Sequence, residues 1–519
     1  MAAARVAIRV DASAAIGTGH LKRCLSLAQA LTDAGAEVRF VSRRIDAVAA
    51  QVLGTENPTV HWLPAPAEAF PPEVDAPPHA AWAGVPQAQD AADTALALAK
   101  WRPDAMVVDH YAFDARWHRA VRAALGCRLL VIDDTADRAL DADALLDHNW
   151  APDHRAKYTG RLQREPRWLC GPRFALLAGA YREAARYRFH DTVRSVGIFM
   201  GGTDPDGISA RVLAACRSAG FTGPVEVVST SANPQLADLR SACRRDGNTT
   251  LTLDQPDLAT FFASHDLQIG AGGGATWERC CIGAPAVALA LVANQSAVVP
   301  GLAALGAVRA ADEATLPGVL RKLITDPATR RSLAERAATL VDGRGAQRVA
   351  LALLQLCQRL QLQLRPATAV DAPLLHGWRN HPAVRAVSAN QDPIAFDAHQ
   401  RWLHTVLANP ARWLFVAQIG PIGHWPVGSI RFDRLDNGHL EVSLYTDPDL
   451  QGLGLGQRLL AAGEQALLAL HPGGFTVQAQ VLPGNTASQR LFQAAGYHGG
   501  PLQYRKAVGP LPHTPHTAP

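Results

Sequence analysis

The sequence predicts an α/β chain of two doubly wound parallel-sheet lobes followed by a smaller α+β unit. Three observations lead there. From Arg5, short apolar runs alternate with stretches of helical spacing; a second such series begins near residue 190; and at Leu364 the pattern changes. Alternating strand and helix imply parallel strands joined by right-handed crossovers. A chain of 519 residues also exceeds what one hydrophobic core holds. The expected divisions are a first lobe over 1–188, a second over 189–361, a third domain over 362–508 and a Pro- and His-rich tail, 509–519, expected to be disordered.

In the first lobe VAIRV (6–10) reads as a buried strand, and Leu21, Leu25, Ala28 and Leu31 recur at helical spacing after the turn IGTGH (16–20). EVRFVS (37–42) is the next strand, and residues 54–86, rich in Pro and Ala, read as irregular. A helix over 90–100, the strand AMVVDH (105–110), a helix over 115–125 and the strand RLLVIDD (128–134) follow. The second lobe runs SVGIFMGG (195–202), a helix over 208–219, VEVVST (225–230), a helix near 257–263, LQIGAGGG (267–274), a helix from Thr276 and the strand AVALAL (286–291). Arg-rich helical sequence over 327–361 closes it. The third domain offers early helices, strands near WLFVAQI, VGSIRF and LEVSLY, the turn QGLGLG (451–456), a helix, the strand VQAQV and a last helix from Asn485.

Composition narrows the partners. The apolar fraction of 48% and charged fraction of 18% are those of a globular chain, and the net charge of +4 comes from scattered Lys and Arg, without the basic patch of a duplex-binding surface. Small molecules, and no nucleic acid, are the expected partners. The eight cysteines include no Cys-x-x-Cys, so a reducing cytoplasm is the expected location and no metal is expected. Arg5, Arg9 and Asp11 interrupt the apolar N-terminal stretch, which argues against a signal peptide. Residues 284–308 carry no formal charge and are long enough to span a bilayer, but two prolines and the amides Asn294 and Gln295 make a buried strand, a polar loop and a helix the better reading, with no membrane insertion.

Glycine turns between strand and helix expose backbone N–H groups and the helix dipole to an anion. Gly17 and Gly19 form one such turn, but Lys22 breaks the dinucleotide pattern Gly-x-Gly-x-x-Gly. Two roles fit His20 there: a helix-capping or packing residue, or a general base aimed into a cleft, since imidazoles titrate near neutrality. The second lobe has two more such turns, one with Gly201, Gly202, Thr203 and Asp204, the other with Gly273, Gly274 and Thr276. Two anion cradles in one lobe suggest a diphosphate. Glu278, one turn into the following helix, suits the two hydroxyls of a ribose or, alternatively, the helix N-terminal dipole. Asn294 and Gln295 suit a uracil edge or sugar groups, or are ordinary loop amides.

IGTGHLKRCLSLA, VVDHY (107–111), VIDD (131–134), FMGGTD, GAGGGATWERCCIG and LVANQ occur in that order. Residues 5 to about 345 thereby resemble the UDP-2,4-diacetamido-2,4,6-trideoxy-β-L-altropyranose hydrolases of pseudaminic acid biosynthesis, enzymes with the GT-B fold of two Rossmann-like lobes. The resemblance implies that His20 activates water at the anomeric carbon, that Glu278 and Asn294 contact the UDP-sugar, and that Asp11, Asp109 and Tyr111 line the sugar side, unless these strand-end residues are structural. Relatives often carry an arginine after GPRFALL (171–177) where this chain has Ala178 and Gly179; Arg173 or Arg182 supplies that charge, or sugar recognition differs.

Gln451, Gly452, Gly454 and Gly456 follow the spacing in which successive amides ahead of a helix bind a pyrophosphate. With LEVSLYTDPDL (440–450), VQAQVLPGN (477–485) and NTASQRLFQAAGY (485–497), the succession resembles the GNAT acetyltransferases, which implies acetyl-CoA as a substrate and Asn485 as a contact to it. LRPATAVDAPLLHGWRNHPAVRAVS (364–388) and HQRWL (399–403) resemble the sugar-nucleotide N-acetyltransferases, which implies Trp378, Arg379 and Asn380 on the acceptor side; helix packing is the alternative. Glu441 is positioned to take the amine proton through water, or is a solvated strand carboxylate. Many relatives have a tyrosine acid where this chain has Phe492, and Tyr497, five residues on, is a poor substitute on a helix. The expected function is a bifunctional enzyme that acetylates a UDP-4-amino sugar and hydrolyses the UDP-diacetamido sugar. A UDP-sugar-dependent glycosyltransferase fused to an acetyltransferase, and a sugar-nucleotide-binding module without turnover, are the competing readings.

Overall fold

The computed structural model describes residues 3–56, 58–67, 75–292, 295–420, 425–500 and 502–509; the tail expected over 509–519 lies outside them but for Gly509. The chain divides into two compact units, one of Met1–Thr32 with Ala36–Cys357, the other of Gln358–Pro519 with the short turn Asp33–Gly35. Both expected lobes fall in the first unit.

The first lobe is built on β1 (Arg5–Val10), β2 (Glu37–Arg43), β3 (Val60–Leu63), β4 (Ala105–Asp109), β5 (Arg128–Ile132), β6 (Ala144–Asp147) and β7 (Arg167–Cys170). All pair in parallel, in the order β3-β2-β1-β4-β5-β6-β7. Helices cover both faces of such a sheet, which is why β4 is buried along its whole length and reads as an unbroken apolar run. The helix Gly19–Asp33 presents Leu21, Cys24, Leu27, Ala28 and Leu31 to the sheet at the expected spacing. The second lobe repeats the plan with β8 (Val196–Phe199), β9 (Val225–Ser229), β10 (Thr249–Leu253), β11 (Leu267–Ala271), β12 (Ala286–Leu289) and β13 (Arg309–Ala311), parallel in the order β10-β9-β8-β11-β12-β13. In each lobe the strand order reverses once, between β1 and β4 and between β8 and β11. The crevice beyond the carboxyl ends at such a reversal is where open α/β sheets bind ligands.

The lobes touch directly. The Trp150 ring lies against Gly301, where a Cβ would fall 2.0 Å from Cζ3. The helix Gly345–Leu356 ends the second lobe's sequence but packs on the first: Arg348 Nη1 donates to the Arg173 carbonyl (2.6 Å) and Arg167 Nη1 to Gln355 Oε1 (2.9 Å).

Some elements were hidden from the sequence. Residues 54–86, read as irregular, contain the end of the helix Val48–Glu56, β3 and a 3₁₀ turn, Ala80–Ala83; β3 is a half-exposed edge strand and so lacks a clean alternation. The helix Leu236–Asp246 buries only Leu239 and Cys243, and β10 is a Thr-rich edge strand. The uncharged window 284–308 divides into β12 and the helix Val298–Ala304, and among the described residues no helix is long and apolar enough to cross a membrane.

The second unit has one mixed sheet of β14 (Leu362–Pro366), β15 (Arg412–Ile419), β16 (Trp425–Arg434), β17 (Leu440–Thr446), β18 (Phe475–Val481), β19 (His498–Gly500) and β20 (Leu502–Val508), in the order β14-β15-β16-β17-β18-β20-β19. Among the described residues the only parallel neighbours of this sheet, β17 and β18, pair at Leu440–Val477 and Glu441–Gln478 and then part. The helices Ala372–Asn380 and Phe396–Ala408 bury Leu375, Trp378, Leu403 and Val406 against Leu414 and Val416 of β15.

Candidate functional site

His20 stands at the reversal point of the first sheet. Gly17 takes φ +79°, closing the turn on Ser13 through a 2.8 Å N–H···O bond, and the helix bearing His20 begins two residues later. Asp109, the last residue of the adjacent β4, receives the ring: Nδ1 lies 2.7 Å from Oδ1. Arg23, one turn along, donates Nε to Oδ2 (2.6 Å) and Nη2 to Oδ1 (2.5 Å). Arg23 Nη2 is also 3.0 Å from His20 Nδ1. An ionised carboxylate only accepts, so the shorter contact to Asp109 puts the proton on Nδ1, donating to Oδ1, and leaves the lone pair on Nε2; the Arg23 guanidinium then bonds Asp109 rather than the ring. Burial alone would raise the Asp109 carboxyl; Arg23 and His20 outweigh it and hold it well below the usual carboxylate range. Tyr111 and Trp82 stand edge-on to the imidazole at 4.7 and 6.1 Å between ring centroids. The Tyr111 hydroxyl donates to Asp134, whose other oxygen accepts from Asn149 Nδ2 (2.9 Å).

Asp11 behaves differently. Its carboxylate is fully buried between Arg9 (2.6 and 2.8 Å), the Ser42 hydroxyl (3.1 Å) and the Arg43 amide (2.7 Å), with His110 Nε2 at 3.2 Å. The expectation that it lines the sugar side is corrected: it anchors β1 to β2. Burial would raise its pKa, but Arg9 and His110 hold it well below the usual range.

The second lobe presents backbone at the same place. Gly201 takes φ +103° with open space around its missing Cβ, and the triple glycine leads into the helix Ala275–Ile282. A Cβ at Gly272 would lie 2.2 Å from Val299, whereas at Gly274 it would meet nothing within 4 Å. Gln295 accepts the Leu291 amide on Oε1 (2.9 Å) and holds Nε2 3.4 Å from where a Gly273 Cβ would be, so its N–H donors border the turn. Glu278 is half-buried beside the Tyr181 hydroxyl; burial pushes its carboxyl up, against the opposing pull of Tyr181 and of Lys22 from the first lobe. His148 of the first lobe stands edge-on to Trp277 at 6.5 Å, so the segment after β6 faces the helix Ala275–Ile282 of the second lobe.

Two sequence expectations shift here. Thr203 is exposed, but Asp204 is buried and its carboxylate caps the next helix, accepting the Ile208 and Ser209 amides at 2.8 and 2.9 Å. Thr276 is likewise internal, bonding the Ala271 carbonyl (3.1 Å). Asn294 lies outside the described residues. Of the two arginines considered for the charge missing at Ala178–Gly179, Arg182 pairs with Glu183 (2.9 Å) and Arg173 is exposed, its guanidinium against Phe174. The sequence reading passed over Arg23, Trp82, Asp134 and His148; only Arg23 and Asp134 sit inside the quoted motifs.

In the second unit Gln451 is exposed, and Gly452 and Gly454 take φ +79° and +72° with nothing near their missing Cβ atoms, ahead of the helix Leu455–Leu470, where Gly456 packs on Leu491. Glu441 lies where β17 and β18 begin to part and accepts Gln480 Nε2 (3.0 Å). Asn485 caps the helix Thr486–Ala494 through Oδ1, which accepts the Ser488 amide at 3.0 Å. Trp378 is buried in the core and Asn380 is tied to the Ile394 backbone (2.7 and 2.9 Å), so of the acceptor-side trio these two pack and pin a loop; Arg379 Nη2 donates to the Asn390 carbonyl (2.8 Å). Tyr497 donates to Glu464 (2.8 Å) and is therefore not placed as a proton donor to the thiolate, and Phe492, buried against it, has no proton to give.

Residues 361–498 match the acetyltransferase (GNAT) domain. The chain is 23% identical over 303 residues to the UDP-2,4-diacetamido-2,4,6-trideoxy-beta-L-altropyranose hydrolase of Campylobacter jejuni, spanning 58% of this chain and 97% of that one. It is also 23% identical over 266 residues to the spore coat polysaccharide biosynthesis protein SpsG of Bacillus subtilis, 49% of this chain and 78% of that protein. The structure of MurG from Acinetobacter baumannii aligns with a TM-score of 0.46 at 16% identity, covering 68% of this chain and 99% of that one. The chain thus joins a two-lobed region homologous to a UDP-sugar hydrolase to an acetyltransferase-type domain.

Proposed function

We propose that the first unit hydrolyses UDP-2,4-diacetamido-2,4,6-trideoxy-β-L-altropyranose to UDP and the free sugar, and that the second acetylates the corresponding UDP-4-amino sugar with acetyl-CoA. These would be consecutive steps toward a nonulosonic acid in the cytoplasm. The observation that carries the reading is the His20–Asp109 pair on the same cleft as the bare glycine turns of the other lobe. Nε2 of His20 takes a proton from water as the water oxygen attacks C1. The C1–O bond breaks and UDP leaves with the electron pair, its charge met by glycine-turn amides and helix N-termini. Asp109 keeps the proton on Nδ1 and stabilises the imidazolium that forms. In the second unit the neutral amine attacks the thioester carbonyl, Glu441 receives its proton through water, and the C–S bond breaks to release CoA as a thiolate that is protonated by water.

The test supplies the full-length protein with UDP-4-amino sugar and acetyl-CoA. Free CoA, UDP and a diacetamido hexose are expected, with UDP appearing in the absence of any acceptor sugar. UDP release that requires an acceptor supports the glycosyltransferase reading, and release unchanged by His20→Ala refutes the mechanism.

A further inference from the structure

The segment after β6 crosses the cleft, and its first residue has no task in the reaction just described. His148 follows Asp147 directly, on the sheet edge that also carries Asp109, Tyr111 and Asp134. Asn149 is fixed to Asp134 and Trp150 is seated on Gly301 of the second lobe, so the backbone is held on both sides of the imidazole. The ring is 7% exposed and stands edge-on, at 82°, to Trp277, the neighbour of Glu278. On its other side the charges that act on it are those of Arg23, Asp134, Asp109 and His20. Its Nδ1 is buried and has no hydrogen-bond partner among the described residues. Buried polar atoms are rarely left so, because the lost hydration is then uncompensated.

We propose that His148 is a specificity-determining contact to the sugar, an imidazole that hydrogen-bonds a hydroxyl or acetamido group of the nucleotide sugar between His20 and the triple-glycine helix. The inference rests on the nucleotide-sugar reading of the cleft and names a further residue within it. Burial lowers the ring's pKa to about 4, so near neutral pH His148 carries no extra proton to give and is not the acid of the reaction. A neutral imidazole offers one N–H and one lone pair, which matches uncharged sugar substituents rather than phosphate. UDP alone, gripped by the second lobe, does not reach it.

The experiment uses the full-length protein in a His20→Ala background, so that the ligand survives, and titrates UDP and UDP-2,4-diacetamido-trideoxy-altropyranose separately. With His148→Leu the affinity for the UDP-sugar is expected to fall about tenfold and that for UDP to stay within about twofold; His148→Gln, which keeps a donor and an acceptor, restores most of the loss. Equal weakening of both ligands, or no change in either, overturns the proposal in favour of a packing role against Trp277. If the Leu variant does not fold, the ¹⁵N imidazole signal of His148, assigned through the Gln variant, is expected to shift with the UDP-sugar and not with UDP; identical responses overturn the proposal. Wild-type protein that binds the UDP-sugar but releases no UDP refutes the hydrolase reading while the ratio of the two affinities still decides this one.

Discussion

The two lobes of the first unit share a strand order and reverse it at the same point, yet one sheet edge is crowded with ionisable side chains and the other is dominated by glycines. At the first edge Asp109, His20, Arg23, Tyr111 and Asp134 hold one another. At the second, Gly201 and Gly202 follow β8 and Gly273 and Gly274 lead into the helix Ala275–Ile282, while the Gly272 amide is tied to the Leu289 carbonyl (2.9 Å). On the proposed function the same topology would serve two tasks: proton handling needs side chains braced by neighbours, whereas anion binding needs their absence.

The contrast can be broken most forcefully at the first edge. His20→Ala is expected to lower the rate of UDP release by about 10²–10⁴-fold while UDP affinity, read by titration, stays where it was. A comparable loss of UDP affinity would show that the lobes do not divide the labour. At the second edge Gly274→Ala is expected to weaken UDP binding about tenfold without lowering the melting temperature, because its Cβ meets no protein atom within 4 Å and only a ligand competes for that space. Gly272→Ala is the control, expected to cost about 1–3 kcal/mol of stability because its Cβ would lie 2.2 Å from Val299.

Acidity separates the edges in sign. Asp109 is held below its ordinary pKa, so it contributes stability at neutral pH that is lost as pH falls through its folded value. Glu278 is held above its ordinary pKa, so its ionisation costs stability once pH rises through that folded value. Glu278→Gln is accordingly expected to raise the melting temperature by on the order of 2 °C at pH 8 and not at pH 4, while weakening nucleotide binding. The smallest effect is expected at Asp204: removal of its cap by Asp204→Ala costs about 1 kcal/mol in denaturant unfolding and leaves UDP affinity within about twofold.

Much of this was legible in the sequence because glycine turns and strand-end motifs are local. The turn at Gly17, the triple glycine and the loop at 451–456 all lie between the strand and helix that spacing assigned them. Asp11 and Asp204 were misplaced for a different reason. A carboxylate at a strand end reads the same whether it faces a cleft or an arginine, and the partner that decides, Arg9 for one and the helix at 208 for the other, is revealed only by the fold. His148 was invisible because β6, a four-residue strand, was not recognised, so no motif marked the edge it stands on.

The chain passes from the first lobe to the second after Phe174 and comes back at Gly345, where any side chain would strike the Ala175 carbonyl, 2.1 Å away from its Cβ. A methyl group added at Gly345 would have to displace that backbone where the two crossings lie side by side. A residue with no part in binding or chemistry is thus expected to set how closely the two threads between the lobes can run.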